Sequence, residues 1–455
     1  MTKINLDKYN IPVPRYTSYP PANFFHEDFT ATDYLQAIED SNQTNPSHIS
    51  FYIHIPFCRH LCHYCGCNSF PMMKAESIER YVATLFKEID LVKPLLNKNR
   101  KVAQIHYGGG TPTVLPVATL KRINEYLLDG FETIESPEIA IECHPGYLDE
   151  AYWQDLTQAH FNRFSIGVQD FNEQVLKTAN RKPSLLPIER IFEILRDAGA
   201  KINMDFIYGL PHQTVSSFKQ SIEKAIQLAP DRLVTFSYAH VPWVSKRQLI
   251  LEKAGLPDSQ TKQQLFEEAS ILLKKAGYQA IGLDHFVKKS DELYQALQNQ
   301  ELHRNFQGYC TRRTTGQVYA FGVTGISQLS TAFAQNIKTI DAYIDQVEKG
   351  NLPITKGYQR SKEEQITGAV IETLLCNYAI AWEEVAKHLN ISKDELLQAI
   401  RYQPKELKEF EQDGLIEWSD KGIQMTSSGK LFVRNVAASL DKLLVNTTKK
   451  FSKPV

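Results

Sequence analysis

Residues 52–68 read Tyr52-Ile-His-Ile-Pro-Phe-Cys-Arg-His-Leu-Cys-His-Tyr-Cys-Gly-Cys-Asn68, which spaces Cys58, Cys62 and Cys65 as C-x-x-x-C-x-x-C. Three thiolates can hold three irons of a 4Fe-4S cluster and leave the fourth iron open. The ligands of such a cluster converge best from a short irregular loop, and a proline and a glycine keep this loop irregular. The apolar residues just upstream predict a buried strand that leads into the loop.

The open iron can bind a small molecule that chelates through an amine and a carboxylate, which suits the methionine end of S-adenosylmethionine (SAM). The cysteine spacing, with the aromatic Tyr64 before the third cysteine, resembles the radical SAM signature. Zinc is the alternative, because Cys58, Cys62, Cys65 and Cys67 can also surround one tetrahedral ion. Structural zinc sites usually take ligand pairs from separate knuckles, whereas these four cysteines lie within ten residues, which favours the cluster.

Length and composition predict an intracellular enzyme. The 455 residues allow two or three domains at about 150 residues each. The 51 Lys and Arg balance the 52 Asp and Glu, so no basic field favours a nucleic-acid partner. Seven cysteines, four of them crowded together, fit a reducing compartment better than a disulfide framework. No apolar run approaches the roughly 18 residues that span a bilayer, so we expect a soluble cytoplasmic protein.

Strand-like apolar runs alternate with amphipathic helical stretches through the middle of the chain. The predicted strands are residues 49–55, 102–107, 138–143, 163–168, 202–208 and 232–238, and the first long helix is residues 76–96. Six such βα units predict an α/β fold, a partial TIM-type (β/α)6 barrel with its chemistry on the loops after the strands. The cysteine loop follows the first strand, where that rule requires it.

From residue 360 onward the pattern changes to short helices at residues 362–375, 381–389, 393–401 and 429–444, with a hairpin at 414–426. This arrangement predicts a small helical, winged-helix-like C-terminal domain. Such a domain can bind nucleic acid or serve as a lid or packing module. The hairpin carries Glu417, Asp420 and a single basic residue, Lys421, which favours packing. The polar tail, residues 446–455, is expected to fray.

Six motifs together carry a resemblance to a known family. They are Pro14-Arg-Tyr-Thr-Ser-Tyr-Pro20, Cys65-Gly-Cys-Asn68, Gly108-Gly-Gly-Thr-Pro-Thr113, Gly167-Val-Gln-Asp-Phe-Asn172, Ile207-Tyr-Gly-Leu-Pro211 and His303-Arg-Asn-Phe-Gln-Gly-Tyr309. With them, nearly the whole chain resembles the oxygen-independent coproporphyrinogen III oxidases, radical SAM enzymes of haem biosynthesis. The first two motifs matter most, because related haem chaperones share the cluster motif and barrel but generally lack these two.

The resemblance implies oxidative decarboxylation of two propionates of coproporphyrinogen III to vinyl groups, giving protoporphyrinogen IX. A 5'-deoxyadenosyl radical from SAM would remove a hydrogen atom from the propionate β-carbon, and loss of CO2 and one electron would form the vinyl group. The expected partners are therefore the tetrapyrrole, a low-potential reductant and a one-electron acceptor. Neither nucleic acid nor a membrane span is expected, and we expect a monomer.

The resemblance also implies a set of site residues. Cys58, Cys62 and Cys65 would ligate the cluster, and Cys67 would be a neighbour that is not a ligand. Two SAM molecules are implied. The first would contact Tyr52, Gly109, Glu142, Ala239 and Ile326, and the second Tyr64, Gly110, Thr111, Gln169, Arg181 and Asp205.

Several of these residues have chemical reasons of their own. The glycines at 108–110 let the backbone approach a ligand, although a plain βα turn has the same sequence. Glu142 at a strand end can accept hydrogen bonds from an amine or ribose. Asp205 lies in an apolar run, where an acid needs either an ion-pair partner or a ligand. Arg181 offers forked donors to a carboxylate, but an exposed arginine has the same sequence signature.

The substrate carboxylates need cations, and bidentate recognition favours arginine. We therefore nominate Arg15 in the N-terminal segment and Arg304 in the sixth motif. Tyr16 and Tyr19 follow Arg15 and predict an aromatic flap over the substrate, with plain packing against the barrel as the alternative. The predicted domains are residues 1–45 as this flap, 46–350 as the barrel with an extension, and 360–455 as the C-terminal domain.

Two stretches depart from the family pattern. Cys143-His144-Pro145 stands where the family usually has an acidic or amide residue before the proline, and residues 309–321 differ in length and composition. Both departures bear on how the second SAM or the substrate is seated. Two other classes remain as alternatives: a haem-binding chaperone on the same scaffold, and a radical SAM methylase or RNA-modifying enzyme.

Overall fold

The computed structural model describes residues 6–454 and divides the chain into two compact units. The barrel unit comprises His26–Tyr278 and Arg313–Gln359. The terminal unit comprises the residues up to Phe25, Gln279–Arg312 and the residues from Arg360 onward. This division groups residues 279–312 with the two ends of the chain, whereas we predicted from the sequence that these residues belong to the barrel domain. The predicted domain limits stay a prediction.

The secondary structure alternates strands and helices, as predicted. The strands are β1 Ile49–Ile55, β2 Phe57–Cys58, β3 Phe70–Pro71, β4 Val102–Gly109, β5 Thr133–Cys143, β6 Arg163–Gln169, β7 Lys201–Tyr208, β8 Arg232–Ser237, β9 Gln279–Ile281, β10 His285–Val287, β11 Leu302–Asn305, β12 Gly308–Thr311, β13 Gln317–Phe321, β14 Ile326–Gln328, β15 Ala332–Asn336, β16 Ile354–Gln359, β17 Ala379–Ala381, β18 Ile416–Ser419 and β19 Gly422–Met425. The helices are α1 Leu6–Tyr9, α2 Ala31–Ser41, α3 Ala75–Val92, α4 Val117–Leu128, α5 Glu150–Thr157, α6 Glu173–Thr178, α7 Ile188–Asp197, α8 Val215–Leu228, α9 Gln248–Lys253, α10 Ser259–Lys275, α11 Glu292–Gln298, α12 Ile340–Glu348, α13 Lys362–Asn377, α14 Trp382–His388, α15 Lys393–Ala399, α16 Pro404–Gln412 and α17 Val433–Ser439.

The barrel unit is built on one large sheet. Its strands lie in the order β16-β15-β14-β13-β1-β4-β5-β6-β7-β8. The strands from β13 to β8 run parallel to their neighbours, and β14, β15 and β16 are added antiparallel. The six predicted βα strands are therefore confirmed, and β1 has the predicted bounds. The strands β13 to β16 carried no prediction.

Local sequence explains how this sheet is covered. In β1 every residue except Tyr52 is buried, as expected for a parallel strand packed on both faces. Helix α3 buries Tyr81, Leu85 and Ile89, which recur at helical spacing and face the sheet side. The helix ends at Val92 rather than at the predicted residue 96, because a proline in the following 3-10 turn cannot continue it.

A buried ion pair ties neighbouring strands of the sheet, and it supports a first prediction. Glu138 accepts hydrogen bonds from Arg163 Nε at 2.5 Å and from Gln104 Nε2 at 2.8 Å. Burial opposes ionisation, but the charges of Arg163 and Arg232 outweigh it and lower the pKa of Glu138 to about 2. Since the folded pKa lies below the ordinary 4.5, the pair stabilises the fold above that pH and is lost as the pH falls toward 2.

Glu138→Gln is expected to destabilise the barrel unit by about 3 kcal/mol at neutral pH, because it removes the carboxylate charge that faces the buried Arg163 guanidinium. Urea unfolding should also lose the acid-induced drop that the wild type shows between pH 4.5 and 2. The matched control is Glu150→Gln, whose exposed pair with Arg190 should contribute nothing measurable. Equal urea midpoints for the two variants would contradict the prediction.

The terminal unit contains a helical domain with a small sheet. Helices α13, α14 and α15 confirm three predicted helices to within two residues, and the predicted hairpin is β18 and β19, joined by β17. Helix α16 was missed, although Pro404 opens it at a favourable position. The predicted helix 429–444 is broken: a 3-10 turn at Gly429–Phe432 precedes α17.

The chain ends of the terminal unit meet on α17. Arg434 is 5% exposed and donates to the carbonyl oxygens of Pro14 at 2.9 Å and Lys453 at 3.2 Å, and also to that of Val13. The Val13 amide donates to the Ser452 carbonyl oxygen at 3.2 Å. The expectation that the tail frays is therefore wrong for residues 452 and 453, because the buried Arg434 donates hydrogen bonds to both of their carbonyl oxygens. Between residues 6 and 454, no helix is long and apolar enough to cross a membrane.

Candidate active site

The candidate site is a pocket in the barrel unit, at the edge of the sheet where the parallel strands end. Its walls come from the cysteine loop after β1 and from residues in or after β4, β5, β6 and β7. The lining residues are Cys58, His60, Cys62, Tyr64, Cys65, Cys67, Ser69, Gly109, Gly110, Thr111, Glu142, Cys143, His144, Ser165, Gly167, Gln169, Arg181 and Asp205. This is the edge at which a (β/α) barrel presents its chemistry.

The short strands β2 and β3 close the cysteine loop. They pair in parallel, and the Phe70 amide donates to the Pro56 carbonyl oxygen at 2.7 Å. Inside the loop the Cys65 amide donates to the Cys62 carbonyl oxygen at 3.3 Å. Cys58 Sγ lies 3.4 Å from Thr111 Oγ1 in the turn after β4. The loop is thus pinned at its two ends, and its thiols face one pocket.

The glycine turn after β4 lies directly against this loop. The Gly110 amide donates to the Ile55 carbonyl oxygen at 2.8 Å, and a Cβ at Gly110 would lie 2.6 Å from the Pro56 carbonyl group. Gly109 has a φ of 114°, and a Cβ there would lie 2.8 Å from the His54 ring. Only glycine fits the close approach of backbone at Gly110 and of the His54 ring at Gly109.

The His54 ring packs against Gly109 of the glycine turn. Its Nε2 lies 3.0 Å from the Asn68 carbonyl oxygen, so Nε2 carries the proton and donates. Its Nδ1 then accepts from the Tyr52 hydroxyl at 3.2 Å. Burial lowers the pKa of His54, which keeps the imidazole neutral in this position. The histidine therefore fixes the strand, the end of the cysteine loop and the tyrosine relative to one another.

The charge around the thiols favours metal ligation. Arg181 donates to the Gly167 carbonyl oxygen and holds Nη1 3.8 Å from Cys62 Sγ. A hydrogen bond from Cys67, together with the charges of Arg247 and Arg181, lowers the pKa of Cys65 to about 6. Burial instead raises the pKa of Cys58. Because metals and clusters bind thiolates, an arginine beside the thiols offsets the cost of burying them.

Two carboxylates also line the pocket. Asp205 Oδ2 accepts from Ser165 Oγ at 2.6 Å, and Glu142 Oε1 lies 3.4 Å from His106 Nε2. Both acids belong to the pocket lining, where they can accept hydrogen bonds from an amine or from hydroxyl groups of a ligand.

The chain is similar to known proteins over nearly its whole length. A family model described as the radical SAM superfamily matches residues 52–225, and one described as the HemN C-terminal domain matches residues 361–432. The oxygen-independent coproporphyrinogen III oxidase of Synechocystis sp. is 37% identical over 98% of this chain and 95% of its own length. That of Helicobacter pylori strain J99 is 38% identical over the full length of both chains. The chain belongs to this family of oxidases.

A solved structure agrees with this membership. Coproporphyrinogen III oxidase (HemN) from Escherichia coli, which its authors describe as a radical SAM enzyme, is 34% identical. It covers 97% of this chain and 100% of its own, with a TM-score of 0.88. The predicted family, fold class and enzyme class are confirmed, and so are the predicted cofactors, a 4Fe-4S cluster and SAM. The chaperone and methylase alternatives are not favoured.

The pocket gathers most of the predicted SAM contacts of this oxidase family member. Those lining it are Tyr64, Gly109, Gly110, Thr111, Glu142, Gln169, Arg181 and Asp205. Tyr52, Ala239 and Ile326 are not among its lining residues. Tyr52 stacks on His106 with ring centroids 6.0 Å apart, the Ala239 carbonyl oxygen accepts from Gln248 at 3.2 Å, and Ile326 lies in β14.

Some lining residues were not predicted as site residues. Ser165 and Gly167 precede the predicted Gln169 at alternating positions of β6 and so share its face of the sheet. This alternation was visible in the sequence and could have identified both. His60 and His144 also line the pocket, and only the departure at residues 143–145 drew attention to the second of them.

The chemistry of the donor set fits the family's cofactor. Cys58 and Cys62 are buried, and all seven cysteines are free thiols. Within residues 6–454, no group of three or more His, Cys, Asp or Glu side chains is placed to hold a single metal ion. The thiols instead surround a pocket bounded by glycines, as a cluster with a ligand on its open iron requires.

The nominated substrate residues lie in the terminal unit, where the structure brings two of them together. Arg15 Nη2 lies 3.6 Å from Asp284 Oδ2, and Arg304 Nη2 donates to the Arg15 carbonyl oxygen at 3.5 Å. Tyr16 is buried, and its hydroxyl donates to Asp441 at 2.9 Å. The contacts of Tyr16 are those of a packed core residue, so its predicted contact with the substrate gains no support from them.

Proposed function

We propose that this chain converts two propionates of coproporphyrinogen III to vinyl groups at the pocket described above, without using oxygen. The observation that carries the proposal is the convergence of Cys58, Cys62 and Cys65 on one pocket whose other wall is a glycine turn. When bound there, the cluster and SAM supply a 5'-deoxyadenosyl radical that takes a hydrogen atom from the propionate β-carbon, after which CO2 and one electron leave.

The three cysteines would hold the cluster, and Cys67 would remain a neighbour. Arg181 would stabilise the thiolates through its charge, since its guanidinium reaches Cys62. The glycines at 109 and 110 would let SAM approach the backbone beside the cluster. Glu142 would accept hydrogen bonds from the amine or ribose of a first SAM.

We also propose a second SAM, contacted by Tyr64, Gly110, Thr111, Gln169, Arg181 and Asp205. Support comes from the presence of all six residues in the lining of the same pocket. Gln169 adopts a φ of 72°, a backbone conformation that non-glycine residues rarely adopt and that is enriched at ligand sites. The contacts of Tyr52, Ala239 and Ile326 with the first SAM, and of Arg15, Tyr16 and Arg304 with the substrate, stay predictions.

The reaction requires electrons to enter and to leave. A low-potential reductant must supply the electron that drives SAM cleavage, and a one-electron acceptor must take the electron released with CO2. We propose both as partners, and a monomer in a reducing cytoplasm as the working state, supported by the balanced charge and the crowded free cysteines.

The test is an anaerobic assay of cluster-loaded protein with SAM, a low-potential reductant, an electron acceptor and coproporphyrinogen III. Protoporphyrin and 5'-deoxyadenosine are measured together, and two deoxyadenosines per protoporphyrin are expected. Deoxyadenosine without protoporphyrin would mean that the protein cleaves SAM but that coproporphyrinogen III is not its substrate. Neither product, in protein shown to hold its cluster, would contradict the proposal.

A matched cysteine pair tests the ligand assignment. Cys62→Ser is expected to remove cluster iron and all turnover, because an alcohol replaces one of three thiolates. Cys67→Ser changes a thiol that lines the same pocket but is not proposed as a ligand, and it should retain iron. Iron and sulfide analysis of both variants decides the matter, and loss of iron from Cys67→Ser would overturn the assignment.

A further inference from the structure

A group of basic and aromatic side chains borders the pocket on the side of the cysteine loop. The Tyr147 ring contacts two cations, with Arg59 Cζ 5.3 Å and Lys182 Nζ 4.9 Å from its centroid. The His60 ring stacks on Tyr147 at 5.8 Å, and its Nδ1 lies 2.5 Å from the Tyr147 hydroxyl. We name Arg59, His60, Tyr147 and Lys182 the Tyr147 rim. One of its members, His60, lines the pocket itself.

The two cations of the Tyr147 rim have no acidic partner in the described part of the chain. Over residues 6–454, neither Arg59 nor Lys182 forms an ion pair, whereas exposed lysines elsewhere in the barrel unit, such as Lys121 and Lys349, do. An aromatic ring holds a cation without neutralising it. Arg181, next in sequence to Lys182, adds a further positive charge inside the pocket. The positive charges of Arg59 and Lys182 are therefore not offset by a carboxylate of the described residues and face solvent at the border of the pocket.

His144 supplies an unused donor beside the rim. It is 5% exposed, lines the pocket, and lies with its ring centroid 4.8 Å from that of Tyr147. Its Nδ1 accepts from the Gly146 amide at 3.1 Å, so the proton is on Nε2. That Nε2 is buried and finds no hydrogen-bond partner among residues 6–454. Burial and the nearby Arg181 charge lower the pKa of His144 to about 2, so this donor is neutral.

We propose that the Tyr147 rim and His144 form a carboxylate subsite that takes a propionate of the tetrapyrrole substrate. The inference rests on the proposed function and names a part of its substrate site. Arginine and lysine bind carboxylates through charge-assisted hydrogen bonds, and a neutral imidazole N–H adds a donor at a fixed position. The substrate carries more propionates than the reaction removes, so an anchoring carboxylate is available while another reacts.

The rim is tested by the double variant Arg59→Gln, Lys182→Gln in cluster-loaded protein. The affinity for coproporphyrin III is measured by its fluorescence, and KM and kcat are measured with coproporphyrinogen III. We expect Kd and KM to rise by about tenfold, with kcat and the KM for SAM unchanged. Because the lost interaction is ionic, added salt should weaken binding to the wild type much more than binding to the variant.

The matched control is Lys121→Gln, Lys349→Gln, which removes the same charge from exposed, ion-paired positions. His144→Asn tests the donor separately. An asparagine oxygen can still accept from the Gly146 amide, but it leaves nothing in place of Nε2. It should weaken coproporphyrin III binding by about fivefold without changing its salt dependence.

The outcomes separate this inference from the proposed function. If the wild type makes no protoporphyrin, the proposed function fails. If the wild type turns over but the rim variant keeps both its coproporphyrin affinity and its salt dependence, only the subsite is wrong. A rise in the KM for SAM, with coproporphyrin binding unchanged, would also overturn the subsite, because the carboxylate held there would then be that of SAM.

Discussion

Gly110→Ala is expected to abolish turnover and to lower cluster iron sharply. The added Cβ would lie 2.6 Å from the Pro56 carbonyl group and 2.8 Å from the Phe57 carbonyl oxygen, and both neighbours are backbone. Backbone cannot swing aside as a side chain can, so the cysteine loop or the turn after β4 must move. Either movement breaks the bond from the Gly110 amide to the Ile55 carbonyl oxygen.

The same loop provides the control for this prediction. A Cβ at Gly66 would meet no atom of residues 6–454 within 4 Å, although Gly66 lies between Cys65 and Cys67. Gly66→Ala should therefore load its cluster and retain most of its activity. The measurements are iron and sulfide content, the EPR signal of the reduced protein, and protoporphyrin formation. Similar iron content in both variants would show that the close approach at Gly110 does not seat the cluster loop.

The elements that sequence predicted well are those in which local pattern and tertiary contact coincide. β1 was found at its true bounds because apolar residues recur at every second position and all but one of its residues are buried. β13 and β15 were missed because they bury polar residues whose partners lie far away in sequence. Gln317 donates to the Ser41 carbonyl oxygen at 2.9 Å, and Asn336 donates to Glu88 at 2.6 Å. Such partners become visible only when the chain is folded.

At the candidate site, too, the sequence predicted local features but not contacts between distant segments. The cysteine spacing and the glycine motif are local signals, and both predicted segments that line the pocket. The sequence could not show that Gly110 packs on the backbone after Pro56, or that the Tyr147 ring lies beside Arg59 and Lys182. Those contacts join segments that are separated along the chain, and no short motif records them.

Arg434→Gln is expected to release both chain ends from the terminal unit. The guanidinium is buried and donates to carbonyl oxygens of Pro14, Ser452 and Lys453, the last two at 3.0 and 3.2 Å. A glutamine has two N–H donors and no charge, so it can replace at most two of these bonds, and each charge-assisted bond contributes about 2 kcal/mol. Amide hydrogen exchange should therefore speed up in residues 9–19, which also carry Arg15.

Hydrogen exchange is the right measurement because a chain of two units need not unfold in one step, so a single melting temperature would hide a local release. The exposed Lys408 on α16 gives the control: Lys408→Gln should leave exchange unchanged. If the segment that carries Arg15 helps to hold the propionates, Arg434→Gln should also raise the KM for coproporphyrinogen III. Its cluster iron should stay at the wild-type level, because the cysteines belong to the barrel unit. Faster exchange with an unchanged KM would mean that the buried arginine secures the chain ends for stability alone, and would remove Arg15 from the substrate site.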